Sequence, residues 1–148
     1  MSTAAELYGR RHEAAREIRE IKRFLGDSQS YAVRTSSEAR IAELERLIPE
    51  LALQWRKQIV AENEPIVQAG EAELEAMRSE IEQAYRTIEK PASGASLAEA
   101  HLVLAKRDQL IDKVRVAKVA IINHDPRISI GGCEESHPGR VTRRGAAA

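Results

Sequence analysis

The residues best equipped for chemistry lie toward the end of the chain: His124, Asp125, Cys133 and His137. Two imidazoles, a thiolate and a carboxylate amount to a four-donor set for zinc, and Cys133 and His137 are close enough in sequence to share an ion. The second Cys-x-x-Cys half of a zinc motif is missing, and Cys133 is the one cysteine present, so an ordinary tail is the better reading. Cys133 beside Gly131 and Gly132, with a histidine near, also has the parts of a thiol nucleophile and its base. A glycine-rich segment gives such a pair no rigid support.

The rest of the chain offers less. A di-iron bundle needs glutamate and histidine three residues apart on one helix face. Glu99 and His101 are two apart, and His12 and Glu13 are adjacent. No Gly-x-Gly-x-x-Gly, Walker loop or Gly-x-Ser-x-Gly elbow occurs. The glutamates fall on solvated helix faces, where burial does not retune a carboxylate. No catalytic residue, cofactor or metal is assigned. Arg140, Arg143 and Arg144 have no acid beside them and present forked donors suited to phosphate or an acidic surface. Arg10, Arg11, Arg16, Arg19, Lys22 and Arg23 form a second basic group. Glu6, Glu13, Glu17 and Glu20 are interleaved with it, the pattern of intrahelical ion pairs.

Composition points to long helices as the supporting elements. Among 148 residues, 23 basic and 23 acidic side chains balance, which argues against a strongly basic nucleic-acid binder. Alanine contributes 23 residues, while Leu, Ile, Val and Phe together contribute 33. With aromatics at 3%, few large side chains are left to wall an enclosed substrate pocket. Ala, Glu, Arg, Leu and Ile dominate, the mixture of extended helices. The first twenty residues lack the apolar block of a secretory signal, and no stretch approaches a bilayer span. The expectation is a cytoplasmic protein, or part of an assembly built in the cytoplasm.

Periodicity predicts a first helix over about 4–25, opened by a Thr3–Glu6 capping box and stopped by a left-handed Gly26. Its seam is Leu7, Arg11, Ala14, Ile18, Ile21 and Leu25, stepping by four and three. After a loop over 26–35, a Thr35–Glu38 box predicts a second helix from Ser36, with seam Ile41, Leu44, Ile48, Leu51 and Trp55, widened by Leu47, Leu53 and Ile59. Pro49 predicts a kink. At Pro65 the seam changes phase, then runs Val67, Gly70, Leu74, Met77, Ile81, Ala84 and Ile88. Either a tight turn or one long helix kinked at Pro65 fits that shift. Residues 90–96 form a connection, and a Ser96–Glu99 box opens a last helix from Leu97 to Ile122. Its apolar face includes Leu97, Ala100, Leu104, Ile111, Val114 and Ile121, widened by Val103, Leu110 and Ala117. Residues 127–130 alternate as a short strand or extended arm would.

The expected fold is all-α: three or four long helices with coiled-coil seams, in elongated hairpins or a bundle. Residues 1–123 form the helical domain and 124–148 an extended C-terminal arm. The expected role is non-enzymatic: a structural or adaptor protein assembling with itself or other protein chains, such as a subunit of a virion or another large particle. Partner contacts are expected at Ile18, Ile21, Ile41, Leu44, Leu74, Ile81, Ile128 and Ile130. Arg140, Arg143 and Arg144 are expected to steer toward an acidic surface. The alternative is a nucleic-acid-associated protein using the arginine tail and the basic first helix.

Overall fold

A computed structural model of the chain describes residues 1–26 and 30–128. These form four helices: α1 (Ala4–Phe24), α2 (Tyr31–Ala76), α3 (Arg78–Glu89) and α4 (Gly94–His124). The all-α reading holds for the described residues. The chain divides into two compact units. Of the described residues, the first unit holds 1–59 and 124–127, and the second holds 60–123 and Ile128.

In the first unit, α1 packs antiparallel against the N-terminal part of α2. The end of α1 meets the start of α2, through Lys22 with Glu45 and Glu17 with Arg40, while Tyr8 near the start of α1 meets Trp55 further along α2. Ala14, Ile18 and Leu44 form the buried centre, with Ile21, Ile41, Leu47 and Ile48 packed around it. The seam read from the sequence is the seam used, because side chains three and four apart share one helix face. The Thr3–Glu6 capping box is present, with Glu6 N–H donating to Thr3 Oγ1 at 3.2 Å and Thr3 N–H to the Glu6 carboxylate at 2.8 Å. Gly26 does not act as expected. No described glycine is left-handed, and α1 closes through right-handed Leu25, with the Gly26 N–H donating to the Arg23 carbonyl. A tightened last turn satisfies the terminal carbonyls without a left-handed residue.

The second helix starts five residues earlier than the sequence suggested. Ser30 Oγ accepts from the Val33 N–H, and Thr35 lies inside the helix, its hydroxyl donating back to the Tyr31 carbonyl at 2.9 Å. A serine was available upstream, so the Thr35–Glu38 motif is not a cap. Residues 27–29 of the expected loop lie outside the described residues.

At Pro65 the chain does not reverse. α2 passes through both Pro49 and Pro65 to Ala76, which decides for the long helix. At Met77 the four-residue bonding pattern persists: Met77 N–H donates to Glu73 and Ile81 N–H to Met77. The segment after Pro65 is therefore split into the end of α2 and α3, with no chain reversal at the split.

In the second unit, α4 packs antiparallel against the end of α2 and α3. Lys118 pairs with Glu71 and Lys106 with Glu73, while Arg107 meets Tyr85 further along. Val60, Gly70, Met77, Ala84, Ala100, Val114 and Ala117 are buried, so the phase change read at Pro65 points its seam correctly. Gly70 marks the closest approach. A Cβ built there would collide with Val114 Cγ2. Ser93 rather than Ser96 caps α4: each serine hydroxyl accepts the other's backbone N–H at 3.1 Å, and helix begins at Gly94. Ser96 fills the third-residue role usually held by glutamate. Ile111, expected inside, is exposed.

Candidate interaction surface

Two sets of side chains merit functional scrutiny. The first lies within the first unit, around Trp55. Tyr8 lies 4.2 Å from His12 and 5.8 Å from Trp55, ring centre to ring centre; Trp55 meets the edge of His124 at 5.1 Å. The Arg11 guanidinium, which interrupts the α1 seam, sits 5.9 Å from the Trp55 ring centre, where a cation meets the negative face of the indole. Arg56 Nε donates to the His124 carbonyl at 3.2 Å, a cation at a helix C-terminus.

Asp125 ends α4, because the residue before a proline is pushed out of helical conformation. The residue is 3% exposed. Arg127 supplies its partners: the backbone N–H at 2.8 Å, Nε at 3.0 Å and Nη2 at 2.9 Å. These hydrogen bonds, above all the guanidinium, hold the Asp125 carboxyl below its ordinary value against the opposing effect of burial. Residues 124–127 are thus packed into the first unit rather than projecting as an arm. Arg127 and Ile128 lie in a turn, not a strand.

Of the metal-donor set weighed in the sequence, His124 is engaged with Trp55 and Asp125 with Arg127. Cys133 and His137 lie outside the described residues, as do Ile130, Arg140, Arg143 and Arg144. Among the described residues no cluster of three or more His, Cys, Asp or Glu could hold a metal ion. No helix among them is long and apolar enough to cross a membrane.

The other expected contact residues are distributed unevenly. Ile18 and Leu44 are buried in the first hairpin, and Ile21 and Ile41 pack against them. A partner could reach Ile18 or Leu44 only by opening that hairpin. Leu74 and Ile81 are half-buried in an open groove of about 410 Å³ that also includes Ile111. Ile128 is exposed.

The second set is a row on α4 that the sequence reading did not pick out. Ala98, Leu102, Ala105, Gln109, Asp112, Val116, Val119 and Asn123 step strictly by four and three. All eight are exposed, with Leu102 at 70%, Val116 at 58% and Val119 at 48%. The row lies opposite Ala100, Val114 and Ala117, which pack inside the unit. α4 therefore carries two seams, one used within the chain and one facing outward. An apolar row on both sides of a helix calls for two packing partners. The signal was legible as a second four-three alternation, but Gln109, Asp112 and Asn123 interrupt it. Comparison with known protein families, curated proteins and solved structures returns no match.

Proposed function

We propose that this chain is a non-enzymatic structural or adaptor protein that assembles with protein chains, itself or others, through helix-on-helix packing. The observation that carries this reading is the outward row of α4. Leu102, Val116 and Val119 are large, apolar and open to solvent along one line, the arrangement by which one amphipathic helix receives another. The balanced net charge agrees better with this than with the nucleic-acid alternative. A place in the cytoplasm, or in a particle assembled there, such as a virion, belongs to the same proposal.

The test is a photoreactive side chain at position 116, irradiated in the native source. The expected result is a covalent adduct with a protein chain, absent when the same group replaces exposed Glu80 on α3. An adduct with nucleic acid, or equal adducts from both positions, would overturn the reading.

A further inference from the structure

We propose that the outward row of α4 pairs with the α4 of a second copy of this chain, running antiparallel about a two-fold axis. The inference rests on the assembly reading above and names its partner. A four-three row is the geometry of a two-helix seam, and a two-fold axis lets one patch serve both subunits.

The order of side chains along the row selects the direction. Its midpoint falls between Gln109 and Asp112. Antiparallel pairing about that midpoint sets Gln109 opposite Asp112 of the second copy, so that the amide N–H donates to the carboxylate, twice by symmetry. The next layer sets Ala105 opposite Val116, and the one beyond sets Leu102 opposite Val119. Small meets large in the first of these layers, and two branched side chains meet in the second. A parallel pair would instead stack Asp112 on Asp112, two like charges inside the seam. In the single chain Asp112 is held by Arg115 at 2.6 Å, from beside the row rather than across it, so its other acceptor positions face outward.

The rim agrees in part. Asp108 would face Arg115 of the second copy, although within the chain Asp108 is held by Arg107 and Arg115 holds Asp112. Lys106 would approach Lys113, but Lys106 is already held by Glu73 at 3.3 Å. A polar pair at the centre of an apolar seam fixes register and direction at a cost in affinity, so the contact is a modest one with defined orientation.

The experiment uses the full-length purified chain carrying Cys133→Ser. Sedimentation equilibrium up to roughly 100 µM, where contacts of modest affinity are populated, should show a dimer. Leu102→Cys chains mixed with Val119→Cys chains and mildly oxidised should give the mixed 102–119 disulfide. In the antiparallel pair the two copies of position 102 lie roughly 25 Å apart at 1.5 Å rise per residue, too far to bridge. Gln109→Asp alone should weaken association by about tenfold or more, since it sets two carboxylates face to face. Adding Asp112→Gln should restore it. All these positions are exposed, so helix content should not change. A monomer at every concentration, a statistical mixture of the three disulfides, or predominant 102–102 bridges would each overturn the pairing. Protein adducts at position 116 are read separately, so the pairing can fail while the assembly reading stands.

Discussion

Gly70 and Asp125 are the residues whose replacement most sharply probes the packing. At Gly70, α2 approaches α4 so closely that an added methyl must displace Val114, a buried β-branched side chain with little rotamer freedom in a helix. Gly70→Ala should destabilise the protein by about 1–3 kcal/mol in urea unfolding, as overpacking does, despite alanine's better helix propensity. Val114→Ala makes room, so the double variant should be more stable than the two single effects summed, with a coupling of about 1 kcal/mol. Additive effects would mean the helices separate freely at that level. At Asp125, the folded-state pKa lies below the ordinary value because Arg127 donates to the ionised form. Its stabilising contribution is therefore present above about 3.9, the unfolded value. It is lost as pH falls through the lower folded value. Asp125→Asn should lower stability at neutral pH and flatten the acid limb of the unfolding curve below about pH 4. An unchanged acid limb would show that the Arg127 contacts do not hold the carboxyl in solution.

At the scale of elements, the inward seams were legible because burial leaves a periodic mark. Ile41 to Trp55 and Val67 to Ile88 alternate by three and four, and their buried members, Leu44, Leu51, Gly70, Met77 and Ala84, are the ones that face a neighbouring helix. Helix starts were only partly legible. Thr3–Glu6 is used, although Ser2 stands just before it. Thr35–Glu38 and Ser96–Glu99 each had a serine a few residues upstream, at Ser30 and Ser93, and the earlier oxygen takes the free N–H groups. A local motif does not reveal which of two overlapping caps wins, since that depends on how far packing extends the helix. Thr3→Ala and Ser93→Ala should each lower thermal stability by about 1 kcal/mol. Thr35→Ala, which removes only a hydroxyl bonded back to the Tyr31 carbonyl, should change it little. A loss at Thr35 equal to that at Ser93 would return the cap to the later residue. The outward row of α4 was legible only as a broken alternation, because Gln109, Asp112 and Asn123 interrupt it and apolar residues occur on more than one face of the helix. Its two seams separate only when the side facing α2 and α3 is known.

For the molecule as a whole, the signs of the segments follow the pairing within each unit. Basic α1 meets acidic α2 through Lys22–Glu45, and basic α4 meets the acidic end of α2 through Lys118–Glu71 and Lys106–Glu73. These are exposed pairs contributing about 0–1 kcal/mol each, so they select partners more than they hold them. Among the large apolar side chains that the single chain leaves exposed, Leu102, Val116 and Val119 line up on α4. The account's central claim is that this row is covered by another copy rather than by the chain's own packing. The most direct measurement is the thermal midpoint against protein concentration for the wild type and Val116→Asp. A folded dimer is stabilised by mass action, so the wild-type midpoint should rise with concentration. The variant should stay flat at the dilute wild-type value. A wild type whose midpoint does not move, or a variant that melts lower by the same margin at every concentration, would contradict the account: Val116 would then belong to the fold of the single chain and not to its assembly.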